Sequence, residues 1–225
     1  DFNSRVFGNI NLIPSYTDAF ELSFIRKSKG LVINPSLYYS KTVNNFQYFT
    51  TQNDEDIFEI FLINLDEESR LGIEVSAQYK PLKWLGLMAE VNAFSFDQKG
   101  SVDNTSLDFS GETLTASLMS QIKLPKKFTF QSKLEYQAPV NDAQTRTESL
   151  YFLNMAIGKS VLNNKGRITL GISNIFNTRK FRETTVGDGF IVNQSTNFNA
   201  ARWNLNFNYR FNKGRNRKEN TSNRQ

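Results

Sequence analysis

Apolar and polar residues alternate with a period of two along most of this chain. The alternation is cleanest in Trp203-Asn204-Leu205-Asn206-Phe207-Asn208-Tyr209-Arg210-Phe211, where odd positions are aromatic or Leu and even ones Asn or Arg. A strand sends successive side chains to opposite faces, so this run builds one apolar and one polar face. The same pattern predicts strands at Tyr16 to Ile25, Leu31 to Phe49, Ile57 to Lys80, Trp84 to Phe96 and Leu114 to Leu124. It continues at Phe128 to Ala138, Tyr151 to Val161, Ile168 to Asn177 and Phe190 to Asn212. Pro35 lacks an N–H for the ladder, so a bulge or local defect is expected there. Asp66-Glu67-Glu68 interrupts the third run and predicts a bulge or a bend.

The connections alternate as regularly as the side chains. Tight turns are predicted at 27–30, 81–83, 125–127 and 163–166, the last from Asn163-Asn164-Lys165-Gly166, whose Asn and Gly tolerate φ > 0. Long polar loops are predicted at 50–57, 97–112, 139–147 and 178–189, with Val186-Gly187-Asp188-Gly189 as a turn. Residues 1–14 read as loop. Short turns on one side and long loops on the other is the arrangement of outer-membrane barrels. The strands also run roughly 11 to 20 residues, against about 5–6 in soluble sheets. A soluble β-sandwich adhesin module is the competing reading.

Composition narrows this further. In 225 residues, 39% are apolar, mean hydropathy is −0.48, and no stretch approaches the length of an apolar transmembrane helix. Barrel strands need only about 9–11 residues and alternate lipid-facing with lumen-facing positions. Twenty Phe and eight Tyr suit β structure. Cys and His are absent, which removes disulfides, thiolate sites, and the commonest general base and metal ligand. No enzyme signature remains, and no cofactor is expected.

The net charge of +5 comes mostly from the tail, where Lys213, Arg215, Arg217, Lys218 and Arg224 face Glu219. The body is nearly neutral and offers no basic face to nucleic acid. The chain thus divides into barrel at 1–212 and a basic tail, expected to be disordered and periplasmic, at 213–225. With the tight turns in the periplasm, the last strand runs down and residues 1–14 lie outside. A whole bacterial barrel has an even strand number. Nine strands are therefore expected to be the C-terminal part of a larger one, with the strand that pairs the last missing.

Three motifs carry a resemblance. Gly8-Asn9-Ile10-Asn11-Leu12-Ile13-Pro14-Ser15-Tyr16-Thr17 with Phe20-Glu21-Leu22-Ser23 resembles a barrel segment of TonB-dependent receptors. Asn174-Ile175-Phe176-Asn177 resembles their penultimate-strand motif, and Asn204 to Phe211 their terminal strand. In order and spacing, 1–212 is similar to the C-terminal barrel region of Bacteroidota outer-membrane proteins of that superfamily. Ile10 stands where the family has Pro, and fourteen residues follow Phe211, where the family's chain often ends. The resemblance implies an antiparallel barrel of about 22 strands that imports a scarce nutrient such as a metal chelate, glycan or peptide. A receptor-like barrel serving as scaffold in an outer-membrane complex is the alternative. The implied partners are membrane lipid, the barrel-assembly machinery, a TonB-type energy transducer acting through a plug not in this stretch, and surface lipoproteins or other complex partners.

Candidate roles follow. Trp203, Leu205, Phe207, Tyr209 and Phe211 would form the closing strand and assembly signal. Tyr79, Trp84 and Phe128, with Trp203 and Tyr209, would sit at the membrane interface. Glu74, Gln78, Glu90, Asn92, Gln121, Lys123, Gln131, Lys133 and Glu135 would line the lumen, against a plug or against water. Asp54-Glu55-Asp56 and Asp66-Glu67-Glu68 lack EF-hand spacing and read as solvated loops before Ca²⁺ sites. Arg179, Lys180 and Arg182 read as solvated loop before an anion or lipopolysaccharide site. No ligand-binding residue is assigned.

Overall fold

A computed structural model describes residues 4–103, 105–197 and 200–211. The strands are β1 (Ser4–Phe7), β2 (Tyr16–Ser23), β3 (Arg26–Ser28), β4 (Leu31–Gln52), β5 (Phe58–Leu82) and β6 (Leu85–Lys99). There follow β7 (Ser101–Val102), β8 (Thr105–Ser106), β9 (Phe109–Leu124), β10 (Phe128–Gln137), β11 (Val140–Asn141) and β12 (Thr145–Thr147). The last are β13 (Leu150–Val161), β14 (Gly166–Ser173), β15 (Lys180–Gly187), β16 (Phe190–Asn197) and β17 (Arg202–Tyr209). Among the described residues no helix is long and apolar enough to cross a membrane.

Nine strands run β2-β4-β5-β6-β9-β10-β13-β14-β17 in one antiparallel sheet, each corresponding to one of the nine runs of alternation. Register aligns the apolar positions into rows. Leu22, Leu37, Ile73, Ala93 and Leu114 form one. Val75, Val91, Ala116, Tyr136 and Tyr151 form another. Leu22, Leu37, Ile73, Leu118, Leu134, Leu170 and Leu205 are all exposed, so this face has no protein core against it. Glu90, Ser117 and Glu135 line up on the opposite face. β2 and β17 each have one strand neighbour among the described residues, leaving the sheet open at both sides.

The four tight turns fall where the sequence places them. Gly30 takes φ +76°, and a Cβ there would stand 2.7 Å from the Lys80 carbonyl oxygen, so the turn requires glycine. Pro125–Lys127 and Leu162–Asn164 are single 3₁₀ turns, with Lys126, Lys127, Leu162, Asn163 and Asn164 at positive φ. The defect expected at Pro35 is specific. Phe24 donates its amide to the Pro35 carbonyl at 3.0 Å, but Pro35 has no N–H to return. The edge strand breaks there into β2 and β3, in unchanged register.

Five expectations need correction. Residues 1–14 are not all loop, because Ser4–Phe7 pairs in parallel with Phe58–Phe61 and Phe7 stacks on Phe61 at 5.3 Å. Asp66-Glu67-Glu68 is neither bulge nor solvated loop but lies within β5. The backbone irregularity sits across the ribbon at Asn44, with φ 55°. The 97–112 loop is shorter than expected, since β6 and β9 stay paired out to Gln98 and Phe109. The loops at 139–147 and 178–189 carry β11, β12 and β15, which form a second sheet ordered β11-β12-β15-β16. The last run is not one strand: β16 leaves the barrel sheet to pair with β15 through an Asp188–Gly189 turn, Gly189 at φ +77°. Only β17 belongs to the main sheet, as its edge strand; Phe211 lies beyond it, and Asn212 with the basic tail falls outside the described residues.

Asn44 also switches faces. Below it the exposed side chains of β4 are odd-numbered (Leu37, Tyr39, Val43). Above it Phe46 and Tyr48 are exposed while Phe49 is buried. On β5, Leu71 and Ile73 are exposed, whereas Ile63 and Leu65 are buried. The upper β4–β5 ribbon thereby turns its apolar residues into a small core of Phe49, Ile63, Leu65 and Leu107.

Candidate functional site

The tight-turn end collects aromatic side chains. Tyr79 and Trp84 flank the β5–β6 turn and are exposed, and Phe128 opens β10. Lys159 stands opposite Phe128, its Nζ 4.8 Å from the ring centroid. A long cation over an aromatic ring at a strand end keeps its charge near water while covering apolar surface. Tyr209 ends β17 at the same end, edge-on to Phe211 at 4.7 Å. Trp203 lies at the other end of β17, apart from this group.

On the polar face, Tyr38 donates to Asn92 Oδ1 at 3.0 Å, and Lys133 pairs with Glu135 at 2.6 Å. Glu74, Glu90, Asn92, Lys133 and Glu135 line a shallow cavity of about 370 Å³. Gln121 pairs across with Gln131, and Lys123 with Thr129. Gln78 stands opposite Met88 on the same face.

The motif residues act as pins. Asn174 is buried and at φ 50°, a conformation Asn tolerates better than most residues. Its Oδ1 accepts the amides of Thr178 at 2.9 Å and Arg179 at 3.1 Å, and its own amide donates to Asn154 Oδ1 at 2.9 Å. Ile175 donates its amide to the Leu153 carbonyl at 3.0 Å and Asn177 to that of Asn174 at 2.8 Å, while Phe176 is exposed. This knot ends β14 and launches the chain toward β15. Near the start, Asn64 receives the Ile13 amide at 3.0 Å and donates to the carbonyls of Ile13 and Asn44, fixing the 8–14 segment to the ribbon.

The acidic and basic loop candidates are mostly engaged within the protein. Glu67 bridges Lys41 at 2.6 Å and Lys99 at 3.3 Å. Glu68 is buried and bonded to Arg70, Gln98 (2.7 Å) and Asn45 (3.0 Å). These pairings replace the solvated-loop reading of 66–68, because a buried carboxylate persists only with such partners. Arg179 lies 4.6 Å over the Phe152 ring and Arg182 pairs with Glu148 at 3.0 Å. Lys180 begins β15. Asp54-Glu55-Asp56 does form an exposed turn, built on Asn53 Oδ1, which accepts the amides of Glu55 and Ile57.

Sequence reasoning missed a cavity of about 610 Å³ at the loop end, between the upper ribbon and the second sheet. Phe46, Tyr48 and Phe58 enter it from the ribbon, and Asp142 and Glu183 from the loop sheet. Gln144 fastens the two bodies, its amide pairing both backbone groups of Thr50. Burial, and then the nearby Asp142 carboxylate, push the Glu183 carboxyl above its ordinary range. The segments that build it, 139–147 and 178–189, read as polar loop with no period-two apolar pattern to point to it.

A model of the outer membrane protein beta-barrel family matches residues 1–209. The chain belongs to that family. It therefore resides in the bacterial outer membrane, its exposed apolar rows facing lipid and its polar face the barrel interior. No curated protein sequence matches it. Among solved structures, the copper transporter OprC is similar over 89% of this chain, with TM-score 0.66 and 14% identity. The chain spans only 32% of that protein, and at this identity the likeness is one of fold. The open nine-strand sheet of this family member fits part of a larger barrel.

Proposed function

We propose that this chain is the C-terminal barrel portion of a TonB-dependent outer-membrane receptor of the Bacteroidota type its motifs resemble. The receptor imports a scarce nutrient such as a metal chelate, glycan or peptide, and performs no catalysis. The observation that carries the reading is the open nine-strand sheet, which overlays 89% of this chain on about a third of a copper transporter. A barrel of about 22 strands has a lumen wide enough to be filled by a plug. In such a barrel Glu74, Glu90, Asn92, Lys133 and Glu135 face the plug, and the strand carrying Trp203, Leu205, Phe207 and Tyr209 pairs with the first strand. That strand, through Phe211, also serves as the assembly signal, while Tyr79, Trp84 and Phe128 mark the periplasmic interface.

The test is genetic. Deleting the gene and deleting the host's TonB-type transducer should impair growth on the same limiting nutrient. Unaltered growth of the gene deletion across limiting metal chelates, glycans and peptides would overturn the proposal.

A further inference from the structure

We infer that the cavity between the upper β4–β5 ribbon and the loop sheet binds an organic cation, an ammonium or guanidinium group on an apolar body, with Glu183 as its counter-ion. Its volume of about 610 Å³ lies within the 300–1,000 Å³ typical of small-molecule sites. That is far more than a bare metal ion needs. Among the described residues no three His, Cys, Asp or Glu side chains stand close enough to hold one.

Charge sets the ligand's sign. Among the described residues Asp142 and Glu183 are the only charged ones in the lining, so an anionic ligand would meet repulsion there. The two carboxylates are not equivalent. Asp142 is committed, its oxygens accepting Gln47 Nε2 at 2.9 Å and the amides of Gln144 at 2.9 Å and Thr145 at 2.7 Å. The Glu183 carboxylate has no hydrogen-bond or ion-pair partner among the described residues. Arg182 is held by Glu148 and Arg179 lies over Phe152. A ligand cation would relieve both the unpaired, partly desolvated carboxylate and its repulsion from Asp142.

The walls set the ligand's body. Phe46 and Tyr48 stay exposed above the face switch at Asn44, and with Phe58, itself edge-on to Phe190 at 5.4 Å, they line the space. Aromatic faces attract cations and cover apolar carbon equally well. Val6, Ile60, Val140 and Val192 add aliphatic surface.

This site does not depend on transport, and its test needs no energised membrane. The whole barrel protein in detergent would be titrated calorimetrically with 2-phenylethylammonium chloride, with neutral 2-phenylethanol, and with calcium chloride. The ammonium should bind saturably, and the alcohol about tenfold or more weakly, as expected for loss of one charge-assisted contact. Glu183→Gln should weaken the ammonium by a similar factor and leave the alcohol unchanged. Tyr48→Ala, at an exposed position, should weaken both. The inference fails if Glu183→Gln binds the ammonium like the parent, if the alcohol binds equally well, or if calcium displaces the ammonium. Absence of saturable binding by the parent up to about 10 mM would equally defeat it.

Discussion

Gln144 and Thr50 pair as two strand residues would, although 94 positions separate them. The Thr50 amide donates to Gln144 Oε1 at 3.0 Å, and Gln144 Nε2 donates to the Thr50 carbonyl at 3.1 Å. β2 stops pairing with β4 at Val43, so above that point the outer edge of β4 would expose its backbone groups. Unpaired strand edges are a liability, and here a side-chain amide covers one of them while docking the loop sheet.

Replacing Gln144 with Leu should therefore loosen the loop sheet and leave the barrel intact. Two hydrogen bonds at roughly 0.5–1.5 kcal/mol each amount to about 1–3 kcal/mol of docking free energy. Amide hydrogen exchange should rise across 140–147 and 180–197 and stay unchanged in β9, β10 and β13. Uniform protection in the variant would refute the docking role.

Asn174 should be hard to replace. Asn174→Ala loses the carboxamide acceptor for Thr178 and Arg179 and also strains a residue at φ 50°. Stranding two amides costs about 1–3 kcal/mol each. Asn174→Gly keeps the backbone freedom and loses the side chain without the strain, so it should fall between Ala and the parent. Urea midpoints of the refolded barrel in detergent give the order.

Adjacent residues on opposite faces should respond oppositely to charge. Leu118 is exposed on the lipid face, and Leu118→Arg should cost about 2–4 kcal/mol if it lies near the bilayer midplane. Ser117 faces the interior between Glu90 and Glu135, so Ser117→Arg should be neutral or stabilising. Equal losses in vesicle-folding titrations would mean the faces are assigned wrongly.

Glu183 should make the loop sheet sensitive to pH. Its folded carboxyl titrates above the ordinary range, from burial first and Asp142 second. The folded state therefore binds this proton more tightly than the unfolded state does. The stabilising contribution is fully present below the unfolded value near 4.3 and is lost as pH rises through the raised folded value. At neutral pH the loop sheet of Glu183→Gln should open less often than the parent's, and the difference should vanish by about pH 4. Exchange rates of β15 amides, corrected for intrinsic pH dependence, would show this. A gap that widens on acidification would contradict it.

Much of the barrel was legible because its information is local. Period-two alternation, Asn163-Asn164-Lys165-Gly166 and Pro125-Lys126-Lys127 depend on neighbours within a few positions, and an antiparallel meander pairs each strand with the next. Pro35 announced its own defect, since the missing N–H is a property of the residue. The loop elements carried no such signal. β12 pairs with β15 across an intervening hairpin of the barrel, and its three residues have no alternation long enough to detect. The site was the least legible part. Phe46 and Tyr48 read as more of the same strand until Asn44 reverses the faces, and Asp142 reads as an ordinary loop acid.

The amino-acid sequence alone determined the class of structure, the nine membrane strands, their turns and which face meets lipid, because each follows from the chemistry of alternate residues on one strand. Tertiary structure alone decided that Glu68 is a buried, paired carboxylate, that the last run divides between two sheets, and that Glu183 meets Asp142 over a cavity. Those facts depend on register between segments far apart in the chain, where a shift of one residue would send every side chain to the opposite face.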